Sequence, residues 1–583
     1  MAQADLVLLH PPSVYDFRQQ SILYGPISDL IPSSPVFEMY PLGFLTMVAY
    51  LEERGFEVRV VNLALRMMND PNFDVPAFLS RLHPLAFGID LHWLPHAHGS
   101  IEVAKLIREI HPKIPIVFGG LSATYYHAEL IQHPAVDFVL RGDSVEPALY
   151  ELMVRLRAGR SPADVPNLTW KADGQTRVNP KGFVPGSLDH VDLLPERMVR
   201  MVFRYRDLQS VLPFNGWWQN PITAVFTVKG CAHECVTCGG SNSACGLLNA
   251  RSGPVFRSPA NLVANMTEIS RLSRGPIFLV GDLRQPGELY AAEVLERLRG
   301  TQIRNQVVFE LFDMPPLQYL KDIDRSVKHW SLELSPESHD ESIRRAQDET
   351  VNHSNRQMET VIEEALRLRC ERVDVFFLIG LPQQSQESVR ETIDYCEHLF
   401  QISDERLSCF ISPLGPFLDP GSRGFEDPER VGYRLFARTL EQHRQLLVQP
   451  TWKRILNYET RWMTREQLVE ATYEAGERLN ALKVRYRRIS PTRGEQVAHR
   501  IWLARGLRDR LDELVDRGTT EGDEFERLRG EVHAFSVSTV CDKRELFWRR
   551  HLFNFKILTI LRIAFSYLVE QIAHLTNRTT VLE

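Results

Sequence analysis

The chain has 583 residues, 44% of them hydrophobic, 24% charged and 9% aromatic, which is length for about three or four domains with cores of their own. Those proportions exclude a disordered tail, a collagen and a disulfide-dense miniature. Lys plus Arg number 68 against 74 Asp plus Glu, a net charge of −6, whereas a duplex-binding protein would carry a basic excess to neutralise phosphate. The 8 cysteines stand at positions 231, 235, 238, 245, 370, 396, 409 and 541. A secreted disulfide framework would spread them, so the crowding of the first three predicts a reducing compartment and a metal site. Residues 1–5 enter an apolar run without a basic flank, so no signal peptide is expected and the location predicted is cytoplasmic.

Residues 5–150 alternate short apolar runs with amphipathic stretches. Segments 5–9, 58–63, 86–90, 116–118 and 136–140 read as strands. Residues 42–54, ended by Gly55, residues 101–110 and a stretch from Glu146 read as helices. This alternation implies parallel strands in a doubly wound sheet, and such sheets bind ligands beyond the carboxyl ends of their strands. Those ends carry His10-Pro11-Pro12, Asp90-Leu91-His92, Gly119-Gly120-Leu121-Ser122 and Arg141-Gly142-Asp143. Gly119 and Gly120 would let a bulky ligand approach the backbone, although ordinary turns would look the same. No G-x-G-x-x-G follows the first strand, which argues against a dinucleotide site.

The Gly119–Ser122 and Arg141–Pro147 loops resemble the fourth- and fifth-strand loops of the cobalamin-binding Rossmann-like domain. The resemblance implies cobalamin contacts at His10, Pro12, Gly119, Gly120, Ser122, Arg141 and Gly142. The D-x-H-x-x-G motif, whose His ligates cobalt in the methionine-synthase type, is absent from the first loop. Asp90-Leu91-His92-Trp93-Leu94-Pro95 mimics it after the third strand but ends in Pro. His92 therefore reads as a packed or hydrogen-bonded histidine rather than a cobalt ligand. Many cobalamin domains attached to radical enzymes lack that histidine.

A Pro-rich connector follows, with a hairpin over 167–178 turning at Asp173-Gly174. An apolar strand, 224–228, then runs into Lys229-Gly230-Cys231-Ala-His-Glu-Cys235-Val-Thr-Cys238-Gly239-Gly240. Three thiolates in a C-x3-C-x2-C loop suit a [4Fe–4S] cube with one iron left open to chelate S-adenosylmethionine. The competing reading is structural zinc with Cys245 or His233 as fourth ligand, but zinc knuckles bring separated pairs and no second pair exists here.

The cysteine loop is the signature of the radical SAM superfamily, and residues 277–422 resemble its partial barrel. Gly281 and Asp282 end a strand where relatives hold the amino group of S-adenosylmethionine. Glu333 and Ser335 fall on the strand that contacts ribose, and Ile379 and Gly380 on the one that backs adenine. Segments 307–312, 331–338, 373–381 and 409–414 read as further strands, alternating with helices such as 260–272 and 355–368. The position before the third cysteine is usually aromatic and here is Thr237, so the adenine-edge contact must come from elsewhere. Glu310, Asp313 and Glu333 read either as site carboxylates or as salt bridges inside the barrel. The cysteines at 370, 396, 409 and 541 read as buried small hydrophobes, which argues against Cys-rich peptide-maturing relatives. The Cys-free N-terminal half argues against methylthiotransferases.

From about residue 430 the chain turns helical and charge-dense, with amphipathic helices expected over 434–447 and 465–481. Near the end, Trp548-Arg549-Arg550-His551 precedes 552–572, which is mostly apolar but holds Lys556, Arg562 and Glu570. Those charges argue against a transmembrane span. Thr559, Arg562, Ser566 and Glu570 share one narrow stripe, leaving a wide apolar face. Such a helix could lie on a membrane surface or cap the barrel or a dimer partner, and the packed reading is preferred.

The expected fold is α/β. It has a doubly wound Rossmann-like cobalamin-binding domain (1–158), a connector with a hairpin (159–221), a partial (β/α)6 radical SAM barrel (222–430) and a helical C-terminal region (431–583). The resemblance implies a [4Fe–4S] cluster on Cys231, Cys235 and Cys238, S-adenosylmethionine and cobalamin as cofactors, and radical C-methylation as the reaction. Non-methylating radical chemistry with the same cofactors is one alternative; a non-catalytic binding protein with a structural cluster or zinc is the other. Expected partners are a small-molecule or lipid-like substrate and a reductant such as flavodoxin or ferredoxin, with no nucleic acid; peripheral membrane contact through the last helix stays open. No catalytic side chain is singled out.

Overall fold

The computed structural model describes residues 3–27, 33–518, 523–534, 540–548 and 553–580. In the N-terminal region β1 (Leu6–His10), β2 (Val58–Asn62), β3 (Ala86–Asp90), β4 (Ile116–Gly119) and β5 (Phe138–Leu140) run parallel in the order β2-β1-β3-β4-β5. Every residue of the first three is buried, as strands covered by helices on both faces require. The strand order reverses between β1 and β3. That switch point puts a crevice beyond their carboxyl ends, where His10 and Asp90 stand.

The segment expected as a connector is built into this unit. β6 (Leu168–Ala172) and β7 (Gln175–Val178) form the hairpin, and β6 pairs antiparallel with β5, making a seven-stranded sheet. Beyond it the helix Pro195–Tyr205 is followed by Asp207, which pairs with buried Arg59 at 2.9 Å. Tyr40 Oη donates to the Val211 carbonyl at 2.7 Å.

The second sheet begins with β8 (Thr223–Phe226). Two short strands, β9 (Val228–Lys229) and β10 (Val255–Phe256), pair antiparallel at the base of the cysteine loop. Then come β11 (Ile277–Val280), β12 (Val307–Leu311), β13 (Trp330–Glu337), β14 (Cys370–Ile379) and β15 (Leu407–Pro413). With β8 they form six parallel strands in sequence order, β15-β14-β13-β12-β11-β8. No pairing closes β15 onto β8 among the described residues, so this is the expected partial barrel. Helices such as Pro259–Leu272 and Asn355–Arg367 cover its outer face through Leu262, Met266, Met358 and Ile362.

One element departs from expectation. Residues 434–447 are not a single helix: β16 (Tyr433–Leu435) pairs antiparallel with β17 (Tyr458–Thr460), and the helix runs only over Leu440–Leu447. The Thr439 and Gln442 side chains form a capping box that fixes the start, and a three-residue strand is too short to break the helical spacing that led into it. Helices Arg465–Arg485 and Pro491–Asp516 carry the region onward. The last helix is Ile557–Thr580. The basic Arg549-Arg550-His551 cluster lies outside the described residues. Among those described, no helix is long and apolar enough to cross a membrane.

Candidate functional site

Gly230, at φ +80°, turns the chain from β9 into the cysteine loop, and a Cβ there would meet Cys245 Sγ at 2.9 Å. Cys231, Cys235 and Cys238 are free and half-buried, whereas the other five cysteines are free and buried. The three sulfurs do not gather as ligands of a single ion. Among the described residues, only His10, His92 and His96 bring three donor atoms within 4.8 Å of one another. The side chains considered as a fourth zinc ligand are engaged elsewhere. Cys245 Sγ accepts from Arg251 Nη2 at 3.1 Å, and His233 Nδ1 pairs with Asp348 at 3.0 Å. Burial pushes the Cys231 thiol up to about 11 and Cys238 up to about 12, and raises Cys235 as well. A bound metal reverses this, because a coordinating thiol is deprotonated outright. The Gly240 N–H already donates to Cys238 Sγ at 3.3 Å, as suits a thiolate. Thr237 is buried and accepts from Gln347 Nε2 at 2.6 Å.

Gly281 follows β11 at φ +87°, and its N–H donates to Glu310 Oε2 on β12 at 2.7 Å. Asp282 is buried and paired with Arg284 at 2.5 Å. Glu333 on β13 lies in register with Glu310 on one neighbouring strand and Asp374 on the other. Asp374 pairs with Arg372 at 2.7 Å, while Glu310 and Glu333 have no ionic partner among the described residues. Burial raises Glu310 to about 7; burial, with Asp374 alongside, raises Glu333 to about 8. Asp313, whose side chain is 46% exposed, pairs with His353 Nδ1 at 2.9 Å, and the other two carboxylates lack such a partner among the described residues. Ser335 is half-buried further along β13. The Ile379 carbonyl accepts from Leu414 N at 3.0 Å. Gly380 donates to Gln384 Oε1 at 2.8 Å and accepts from Tyr433 Oη at 2.7 Å, so both its polar groups are bonded within the protein.

At the switch point His10 is fully buried. Its Nδ1 faces Asp90 at 3.1 Å and its Nε2 the Phe37 carbonyl at 2.9 Å, so both ring nitrogens are occupied. Burial works to raise the Asp90 carboxyl, but His10 and His92 hold it far below the usual range. His92 is tied through Nδ1 to Asp90 at 2.6 Å, a hydrogen-bonded histidine as expected. The two glycines of the next loop differ. A Cβ on Gly119 would meet nothing within 4 Å, whereas one on Gly120, at φ +115°, would lie 2.4 Å from His92 Cα. Gly119 leaves room for a ligand; Gly120 is needed for packing between backbones. Pro12 packs against Gly99, and Ser122 is buried in the short helix Leu121–Tyr125. Arg141 reaches the Asn179 carbonyl, and Gly142 N–H donates to Thr124 Oγ1 at 2.9 Å.

These two regions meet through residues that the motifs did not reveal. Trp93 Nε1 donates to Asp419 Oδ1 at 3.0 Å, and Gly239 N–H, one residue past Cys238, donates to Asp419 Oδ2 at 3.0 Å. Arg251 pairs with Asp143 at 2.7 Å, and Lys229 Nζ donates to the Asp143 carbonyl at 2.6 Å. Asp419 follows the sixth barrel strand, a place where sites gather, and that position was the available signal. Gln285 and Glu337 were missed too. Gln285 accepts from Ala232 N at 2.9 Å within the cysteine loop. Glu337, at φ +63°, is raised to about 7 by burial and lies close enough to influence Cys235 and Cys238. A cavity of about 520 Å³ opens between the units. Its walls are mostly apolar, from Tyr40, Met198, Trp217, Phe278, Phe376 and Phe547, and its charged lining is Glu333 and Asp374, with His92 nearby.

Residues 30–149 match the family model of the B12 binding domain. A cytidylyl-2-hydroxyethylphosphonate methyltransferase from Streptomyces wedmorensis is 22% identical over 256 residues, 37% of this chain; the chain spans about half, 48%, of that relative's length. TsrM from Kitasatospora setae, a radical S-adenosylmethionine methyltransferase with cobalamin and a [4Fe–4S] cluster bound, aligns with a TM-score of 0.56 and 14% identity, covering 92% of this chain and 99% of that one. OxsB, a cobalamin-dependent S-adenosylmethionine radical enzyme with aqua-cobalamin bound, aligns with a TM-score of 0.51 and 11% identity over 99% of this chain and 81% of its own. The chain has the fold of the cobalamin-dependent radical S-adenosylmethionine enzymes. Its own residues fit the groups that this fold implies. The three thiols of the cysteine loop are free, Gly119 faces open space, and Arg141 Nε and Gln285 Nε2 are buried without a hydrogen-bond partner among the described residues.

Proposed function

We propose that this chain is a cobalamin-dependent radical S-adenosylmethionine enzyme, and that it transfers a methyl group to an unactivated carbon of a small molecule. The observation that carries this reading is the Trp93–Asp419–Gly239 bridge, which ties the switch-point crevice to the cysteine loop. Cys231, Cys235 and Cys238 would hold the [4Fe–4S] cluster. Gly281, Asp282, Gln285, Ser335, Ile379 and Gly380 would surround S-adenosylmethionine. Pro12, Gly119, Ser122, Arg141 and Gly142 would border the corrinoid. When bound, the cluster and S-adenosylmethionine supply one-electron chemistry at an unactivated C–H bond, and cobalamin supplies a transferable methyl group.

The chain itself binds, orients and excludes water. The cavity walls are mostly apolar, and Glu333, raised to about 8 by burial and by Asp374, can donate a hydrogen bond there as a neutral acid. Arg284 fixes the Asp282 carboxylate, and Gln285 pins the loop at Ala232. A one-electron donor of the flavodoxin or ferredoxin kind would serve as reductant.

The test is anaerobic turnover with methyl-labelled S-adenosylmethionine and a cell extract as substrate source. Label in a product supports methyl transfer; label remaining only in methionine, with cleavage intact, refutes it. Replacing Cys231, Cys235 and Cys238 together by Ala should abolish both bound iron and cleavage, while Cys245→Ala keeps both. Cleavage in the wild type no faster than in the triple variant would overturn the enzyme reading.

A further inference from the structure

The last helix, Ile557–Thr580, packs on the rest of the protein through one side, with polar anchors at the edge of that contact. Glu570 pairs with Arg200 at 2.5 Å, Tyr567 Oη accepts from Arg204 Nε at 3.5 Å, and Ile563, Ala564 and Tyr567 are buried against the rest of the protein. The opposite side is apolar and bare. Leu558, Leu561, Phe565, Leu568 and Val569 are between 49% and 83% exposed, and their spacing puts them on one arc about 100° wide.

Two observations say what covers this face. Its flank is cationic: Arg274, Arg304, Lys556 and Arg562 are exposed and have no carboxylate partner among the described residues. Lys556 is lowered by burial and by the nearness of Arg274 and Arg304, so three of these charges sit together at the start of the helix. In a chain of net charge −6, an apolar strip beside unpaired cations matches an anionic bilayer surface. A second copy would bring the same cations to the same contact. The strip is also continuous with the cavity. Phe555 stacks on Trp218 at 4.5 Å, Trp218 is half-exposed, and both line the cavity together with Ile560 of the helix.

We infer that the last helix docks on an anionic membrane surface and that the cavity it borders takes an apolar substrate dissolved in the bilayer; the substrate half rests on the enzyme reading proposed above. The lane from Trp218 and Phe555 inward to Glu333 is mostly apolar until its end, so a polar atom would lead toward the carboxylate and an aliphatic or polycyclic body would fill the lane behind it.

The test uses the full chain with its cofactors reconstituted. Wild-type protein should float with phosphatidylcholine vesicles containing phosphatidylglycerol, and poorly with phosphatidylcholine alone or at high salt. The variant L558E/L561E/F565E should stay at the bottom with unchanged circular dichroism and unchanged cleavage of S-adenosylmethionine. Wild-type protein that does not float, or a triple variant that floats equally, overturns membrane docking. So does a dimer by light scattering that the same triple variant converts to monomer. For the cavity, parinaric acid should bind the wild type and be lost from Val199→Trp, which fills the space but keeps flotation. Equal binding to Val199→Trp overturns the substrate class. Flotation without any S-adenosylmethionine cleavage would sink the enzyme reading and leave the docking intact.

Discussion

Asp419→Asn isolates the junction between the two halves of the site. The carboxylate accepts two hydrogen bonds, from Trp93 Nε1 and Gly239 N–H, each at 3.0 Å. Asparagine keeps the volume but has one acceptor oxygen, so one donor must face an NH2 group. A buried donor left unpaired costs about 1–3 kcal/mol, roughly 5- to 150-fold in a local opening equilibrium. Hydrogen–deuterium exchange of the peptide spanning 231–240 reads that equilibrium directly, and exchange at Gly239 should accelerate within that range. Trp93→Phe removes the competing donor and lets the single oxygen serve Gly239. In that background Asp419→Asn should therefore change exchange far less, a coupling that two independent sites would not show. There is also a pH signature. Burial raises the Asp419 carboxyl above its ordinary value, so the folded state keeps a proton that the unfolded state has lost. Stability therefore falls as pH rises from the unfolded pKa through the folded one. Asparagine removes that slope. Unchanged exchange in Asp419→Asn, or an equal effect with and without Trp93, would refute the bridge.

Glu333→Gln tests the carboxylate row. With Glu333 raised to about 8, the protein should lose stability between the ordinary carboxyl range and pH 8. The full shift at about 1.4 kcal/mol per unit is an upper bound on the loss. Urea unfolding at low and high pH should show the decline in the wild type and a flatter profile in the glutamine variant; identical profiles would contradict it. The two glycines of the β4 loop should separate cleanly. Gly120→Ala places a Cβ 2.4 Å from His92 Cα at φ +115° and should cost at least ~2 kcal/mol of stability. Gly119→Ala meets nothing within 4 Å, so it should leave stability unchanged and weaken hydroxocobalamin binding in an absorbance titration. A stable Gly120→Ala, or full affinity in Gly119→Ala, would undo the division of roles.

The architecture was legible where backbone chemistry is local. Buried apolar runs of four or five residues, separated by amphipathic helices, located all five parallel strands of the first sheet and the strands of the barrel. The Asp173-Gly174 turn located its hairpin. The cysteine loop was legible because its spacing alone limits what it can bind. The Asp419 bridge was not legible, because a hydrogen bond between residues 93 and 419 leaves no periodic or spacing signal in the chain. The glycine pair was half legible: sequence tells that both lack a Cβ, and only the fold tells that one faces open space and the other a backbone. Residues 434–447 misled because helical spacing continued back through a strand whose pairing partner lies at 458–460.

The last helix shows the same limit for direction. Its wide apolar face and polar stripe were both visible, and the preferred expectation was a helix that caps the barrel or a dimer partner; Ile563, Ala564 and Tyr567 are indeed buried against the rest of the protein. Polar anchors accompany that packing. Glu570 meets Arg200, Tyr567 meets Arg204, and Lys556 Nζ donates to the Ser270 carbonyl at 2.6 Å. A hydrophobic pattern specifies that a face must be covered and says nothing of by what. This face is wider than its contact, so Leu558, Leu561, Phe565, Leu568 and Val569 stay exposed beside the packed residues.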